Sequence, residues 1–316
     1  MTATPDDRPI VITGAAGLVG QNLIARLKAG NIGPLIAIDK NAANMKTLAR
    51  FHPDVRRIEA DLAVAGEWRS ALAGARALVL NHAQIGALTE APFVANNVTA
   101  TANVLDAAQA AGVGYIVHVS SSVVNSLAHD FYTETKKAQE ALVVASGIPA
   151  CILRPTLMYG WFDRKHLGWL ARFMAATPVF PVPGHGRYLR QPLYAGDFCG
   201  VIAACLDRPR PGQAFNISGQ ERITYIDLMR AVRAAIGART VIVRIPYGVF
   251  WALLKAYSLV DRNPPFTTSQ LAALVIPETF EVIDWPSIFG VRATPVAEGL
   301  RETFRDPVYA KVVLEF

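Results

Sequence analysis

The chain has 316 residues, 31 Lys and Arg against 25 Asp and Glu, and a formal net charge of +6. It carries no basic run or stripe of the kind that tracks nucleic acid, so its charge points instead to anionic small molecules or an anionic membrane face. Cys151, Cys199 and Cys205 lack metal-ligand spacing and sit in apolar segments, which reads as buried free thiols in a reducing compartment. Residues 1–7 show no basic and apolar leader pattern, and no uninterrupted apolar run reaches bilayer-spanning length. The expected location is the cytoplasm.

From residue 9 to about 150, strand and helix patterns alternate at the pace of βαβ units, which predicts a parallel, doubly wound α/β sheet. The first strand, 9–13, runs into Gly14, Gly17 and Gly20, and a helix over 18–29 follows with Leu23, Ile24 and Leu27 on one face. This is a diphosphate cradle. Gly14 permits the sharp turn, Gly17 lets backbone approach the pyrophosphate, and Gly20 lets the helix lie on the strand. The helix start, at Leu18 and Val19, offers unpaired N–H groups and a positive dipole end. Asp39, nineteen residues beyond Gly20, ends the second strand (34–39), where an acid accepts hydrogen bonds from ribose hydroxyls and repels a 2′-phosphate. That favours NAD over NADP, while Lys40 beside it is a cation that suits a phosphate.

The next strand, 55–59, leads into Asp61 and Leu62, and a helix over 66–73 precedes the strand 77–80. A helix over 92–111, a strand over 115–119, a helix over 130–146 and a strand over 150–153 complete the alternation. Ser120, Ser121 and Ser122 close the fifth strand at the carboxyl edge of the sheet, where such folds bind ligands. Eleven residues after Ser121 comes Tyr132, and Lys136 lies one helical turn further on the same face. The ammonium is expected to depress the phenol from about 10 toward neutrality, making Tyr132 a usable proton donor or acceptor. A serine hydroxyl there would polarise a carbonyl or alcohol.

With these motifs in place, the chain resembles an extended short-chain dehydrogenase/reductase of the NAD-dependent epimerase/dehydratase family. The likeness is carried by residues 13–20, Asp61-Leu62, 97–105, Val119-Ser120-Ser121, Tyr132 to Lys136, 153–160, 190–197 and 215–219. It implies a Rossmann-type fold and NAD as cofactor. By the same likeness Asp61 and Leu62 meet the adenine, Ala83 lines the dinucleotide channel, Asn97 supports the proton relay, and Pro155 and Thr156 flank the nicotinamide. Ser121 is the substrate-side hydroxyl by the family pattern, with Ser122 as the register alternative, and Arg190 takes the place of an arginine that holds a sugar diphosphate. Two departures stand out: only ten residues separate Ser121 from Tyr132, a shorter loop than sugar-nucleotide members use to grip the sugar, and Val124-Asn125-Ser126 replaces Val-Tyr-Gly.

These readings divide the chain into a dinucleotide-binding domain, 1–155, and a smaller substrate-binding region, 156–316, interleaved with the sheet. In the latter, 178–190 reads as a loop over the cleft with Arg187 and His185 on it, Lys165 is a weaker substrate candidate, and Asp197 is expected to cap a helix over 198–206. Residues 245–257 form an aromatic-rich apolar helix flanked by Arg244, Lys255 and Arg262, which suits packing over the cleft, a partner subunit, or peripheral contact with anionic lipid. The closing residues 312–316 resemble those of epimerases acting on polyprenyl-diphosphate-linked N-acetylhexosamine. The leading expectation is a 4-epimerase of a nucleotide- or polyprenyl-diphosphate-linked sugar, working through a transient 4-keto intermediate. The alternatives are an NAD(P)-dependent dehydrogenase or reductase of a sugar or hydrophobic alcohol, and a non-catalytic dinucleotide-binding assembly protein. The family likeness further implies a homodimer through the helices at 92–111 and 130–146.

Overall fold

The computed structural model describes residues 7–127, 129–260 and 267–315; Arg262 and the first six residues lie outside them. Strands β1 (Ile10–Thr13), β2 (Leu35–Asp39), β3 (Arg56–Glu59), β4 (Ala77–Leu80), β5 (Ile116–Val119) and β6 (Ala150–Pro155) form one sheet with a seventh strand, Ala214–Ile217. Its order is seventh strand, β6, β5, β4, β1, β2, β3, and every pairing is parallel. Strands covered on both faces carry continuous apolar runs, and β1 and β4 are buried at every position, whereas the edge strand β3 (Arg-Arg-Ile-Glu) is largely exposed. The order reverses between β1 and β4, which opens a crevice at their carboxyl ends.

Each face of the sheet buries its own core. On one side, helix α1 (Leu18–Ala29) packs with the helix Ala195–Asp207, whose Phe198, Val201 and Ile202 are fully buried, and with Trp285 and Phe289. The other side holds Trp68, Leu72, Val104, Leu105 and Val143. A third core, including Tyr159, Met174, Tyr188, Tyr225, Met229 and Leu300, lies within the region after residue 155. That region is interleaved with the sheet, because Ala214–Ile217 pairs with β6. The three cysteines are free and buried, with Cys151 Sγ 3.8 Å from Cys205 Sγ.

Several elements depart from the pattern read in sequence. Helix α2 (Ala42–Phe51), capped by the Asn41 side chain on the Asn44 N–H, fills the β2–β3 connection. The segment at 66–73 is a 3-10 helix, Glu67–Leu72. The helix expected over 92–111 is broken into Ala91–Phe93, a π-helical stretch Val94–Thr99, and Ala100–Ala110. Asp197 does not cap its helix, which begins two residues earlier. Its carboxylate instead accepts from the Thr294 N–H (2.8 Å) and hydroxyl (2.5 Å).

Phe198 is fully buried between the sheet and α1, so Phe198→Ala is expected to cost about 3–5 kcal/mol. Urea unfolding checks this; a loss below about 1 kcal/mol would mean that this layer is not load-sharing with the sheet.

Candidate active site

The turn after β1 is built by close backbone approach. Gly14 adopts φ +62°, and a Cβ on it would stand 2.7 Å from the His82 Cα. At Gly20 a Cβ would stand 2.5 Å from the carbonyl oxygens of Gly14 and Ala15, so α1 sits directly on the turn. Asp39 then clamps that turn: its carboxylate accepts from the N–H of Ala16 (3.0 Å) and of Asn41 (2.9 Å). Burial raises the Asp39 pKa, opposed by those two N–H groups. Each carboxylate oxygen keeps a second lone pair for a ribose hydroxyl.

A cavity of about 930 Å³ runs along the carboxyl edge of the sheet, at the large end of the range for ligand sites. Its wall includes Gly14, Gly17, Leu18, Val19, Asp39 and Lys40 at the β1–β2 side, then Asp61, Leu62 and Ala83. Ser121, Ser122, Tyr132, Lys136, Pro155 and Thr156 line the β5–β6 side. Lys40 spans the rim, donating to Asp61 (3.2 Å) and Asn96 (2.6 Å). The residues fit a dinucleotide: the turn leaves no room for a Cβ at Gly14, and the buried Thr156 Oγ1 in the wall has no protein partner among the described residues.

Three predicted site residues lie outside the wall. Gly20 serves packing alone. Asn97, fully buried in the π-helical stretch, binds the Gln84 N–H (2.6 Å) and carbonyl (3.1 Å) and the Thr135 hydroxyl (3.0 Å). It thereby ties the loop after β4 to the helix Phe131–Ala145 that carries Tyr132 and Lys136. Arg190 is buried and donates to the carbonyls of Leu189, Leu274 and Ile276, with its guanidinium 5.1 Å from the Tyr188 ring centroid. Those bonds commit the group that sequence placed on a sugar diphosphate.

The serines divide their work. Ser120 turns away and donates to Glu140 (2.7 Å), which Arg154 also holds. Ser121 hydrogen-bonds the Tyr132 phenol and caps the 3-10 turn Ser122–Asn125. Lys136 is almost wholly buried and donates to the Val119 carbonyl (3.0 Å) and to Gln139 Oε1. Gln139 in turn donates to Thr101 (2.8 Å), whose hydroxyl meets His82 Nε2 (3.1 Å), while His82 Nδ1 meets Thr13 (2.9 Å). Burial, then the charges of Lys136 and Lys40, push His82 down to about 3, so this chain of bonds runs through a neutral imidazole.

The expected acidification of Tyr132 is not what the geometry gives. Burial raises the phenol pKa, with the Ser121 hydrogen bond acting against it. The ammonium is aimed at Val119 and Gln139, and burial brings its own pKa down to about 7 against the pull of Glu140.

Sequence reasoning also missed part of the wall. His82 and Gln84 follow β4 at the reversal point, a position that could have nominated them. Asp163, Arg164, His166, Glu278, Leu314 and Glu315 reach the cavity from far along the chain and carry no local signal, whereas Lys165, named from sequence as a weaker substrate candidate, stands in the wall with them. Leu314 is buried, Arg164 donates to its carbonyl (3.2 Å), and Asn44 and Glu315 exchange two hydrogen bonds of 2.8 Å, side chain to backbone.

Sheet order, glycine turn and cavity define a dinucleotide-binding α/β protein. The model of the NAD dependent epimerase/dehydratase family matches residues 10–218, and the chain belongs to that family, whose members are enzymes of the extended short-chain dehydrogenase/reductase type. It is 27% identical over 305 residues to the ceramide reductase of Caulobacter vibrioides, covering 93% of this chain and 90% of that one. It is 27% identical over 263 residues to the dTDP-glucose 4,6-dehydratase of an Actinoplanes species, covering 72% and 82%. Among solved structures, the UDP-glucuronic acid 4-epimerase of Bacillus cereus in complex with NAD superposes with a TM-score of 0.70 at 19% identity, covering 93% and 94%, which shows the shared fold.

Gly14→Ala forces a methyl into the His82 backbone and is expected to abolish NAD binding by calorimetry while the far-UV spectrum stays folded. A second expectation concerns pH. A lysine near 7 in the fold and about 10.4 unfolded leaves the extra proton on the unfolded chain between those values, so stability rises with pH through that window. Wild type should therefore gain stability relative to Lys136→Met between pH 7 and 9.5, by up to about 1.4 kcal/mol per unit. A pH-independent difference in urea unfolding would contradict it.

Proposed function

We propose that the chain is an NAD-dependent oxidoreductase that interconverts a secondary alcohol and its ketone on a predominantly apolar molecule. The observation that carries this reading is Arg190, whose guanidinium is bonded to the carbonyls of Leu274 and Ile276. The short Ser121–Tyr132 loop and the match to a ceramide reductase over nearly the whole chain agree with it. Asp39, at the end of β2, supports NAD over NADP, since a 2′-phosphate there would face its carboxylate.

NAD, when bound, supplies a hydride donor or acceptor at its nicotinamide ring. The turn at Gly14–Gly17 and Asp39 would hold its diphosphate and adenosine ribose, and Pro155 and Thr156 its nicotinamide end. Ser121 positions the substrate oxygen. Tyr132, its pKa raised by burial, is protonated at neutral pH and so stands ready to give that oxygen a proton in the direction of reduction. Lys136 shares the cavity wall, its ammonium held by the Val119 carbonyl and Gln139 Oε1.

A second reading, 4-epimerisation of a diphosphate-linked sugar, is favoured by the cations Arg164 and Lys165 in the cavity wall and by the dehydratase relative. The two differ in bookkeeping: an epimerase leaves the cofactor pool unchanged, whereas an oxidoreductase changes NADH in step with product. Incubation with long-chain ketones or secondary alcohols is expected to change NADH absorbance stoichiometrically, and Tyr132→Phe to lower kcat about 10²–10⁴-fold. Conversion of a sugar diphosphate with constant NADH would replace the first reading by the second. A Tyr132→Phe variant that fully supports cellular function would remove both in favour of an assembly role.

A further inference from the structure

The strand Val179–Pro183 pairs in parallel with Val241–Ile245, which feeds the helix Tyr247–Val260; a second helix, Thr268–Val275, follows. On the first helix Tyr247, Val249, Trp251, Leu253 and Tyr257 are 39–58% exposed. These positions run round the helix rather than along one stripe, and among the side chains described on it only Phe250 and Leu254, one turn apart, are half-buried. A helix that is apolar all round belongs in apolar surroundings, and a large exposed apolar patch marks an interaction surface.

Charge identifies the surroundings. Between residues 238 and 277 the sequence holds Arg239, Arg244, Lys255 and Arg262 against the single acid Asp261, and Arg239, Arg244 and Lys255 are exposed. A second copy docked face to face would set the same cations against each other. Anionic headgroups would neutralise the exposed Arg239 and Arg244, with Trp251, Tyr247 and Tyr257 at headgroup depth.

This surface is joined to the cavity. The second helix ends past Leu274, whose carbonyl with that of Ile276 takes the Arg190 guanidinium, and the chain then reaches Glu278 in the cavity wall, its N–H on the Leu189 carbonyl (3.0 Å). Leu157, also in the wall, is 41% exposed. We propose that the helix Tyr247–Val260 docks on an anionic lipid bilayer and holds the cavity mouth at the membrane surface, where a bilayer-resident substrate enters. The substrate part rests on the oxidoreductase reading; the docking does not.

The test is flotation of the full chain, without cofactor or substrate, on vesicles of phosphatidylglycerol with phosphatidylcholine and of phosphatidylcholine alone. The protein is expected to float with the anionic vesicles and to be released by about 1 M salt, where the Debye length is about 3 Å. Trp251→Ser with Leu253→Ser, both at exposed positions, should lower partitioning at least tenfold, and Arg244→Glu should lower it as well. Tyr132→Phe should float like wild type. Failure to bind either vesicle overturns the proposal. So does a light-scattering result in which the serine double variant turns a dimer into a monomer with vesicle binding unchanged, since the face would then belong to a second copy. Vesicle binding without turnover of any alcohol or ketone keeps the docking and removes the oxidoreductase reading; turnover of a soluble ketone without vesicle binding does the reverse.

Discussion

A lysine ammonium with almost no solvent exposure survives only where the fold supplies its partners, and Lys136 sets much of the architecture by that requirement. The Val119 carbonyl must stand free at the end of β5, which it does because the strand stops there and the chain turns through the serines. Gln139 must come round from the next helical turn, and it is held by Thr101 and the His82 carbonyl. His82 closes the set on Thr13, the residue just before the glycine turn. The glycine-turn side of the cavity and the side that holds Tyr132 and Lys136 are therefore joined by a continuous line of hydrogen bonds.

Arginines do the corresponding work outside the sheet. Arg26 leaves α1, stacks 3.9 Å from the Trp161 ring centroid, and binds both the Tyr194 hydroxyl and Glu302 at 2.8 Å. It ties α1 to three separate segments of the chain after residue 155. Arg190 does the same for the end of the helix Thr268–Val275 and the residue that follows it. A planar guanidinium with five donors can satisfy several carbonyls at once, which makes it a better tie between irregular segments than a ligand contact would suggest.

Much of this was legible in the sequence where the signal was local. The strands β1 to β6, α1 and the Tyr132–Lys136 helix follow from apolar period and from glycine and serine punctuation, and the residues named from them meet along one cavity. What was not legible depended on partners far along the chain. Nothing near Arg190 announces the carbonyls of Leu274 and Ile276, and nothing near Asp197 announces Thr294. The direction of the Tyr132 shift failed for a related reason: spacing puts Lys136 on the same helix face, but burial and Gln139 decide where the ammonium points. The π-helical stretch that carries Asn97 likewise reflects side-chain bonds to Gln84 and Thr135, not helix propensity.

The carboxyl-terminal crossing has a practical side. Leu314 and Glu315 are part of the cavity wall and bridge Arg164 to Asn44, while the chain enters β1 at the opposite edge of the sheet. An affinity handle fused after these residues would be built onto the ligand cleft itself. One placed ahead of Ile10 leaves the cleft as the chain made it.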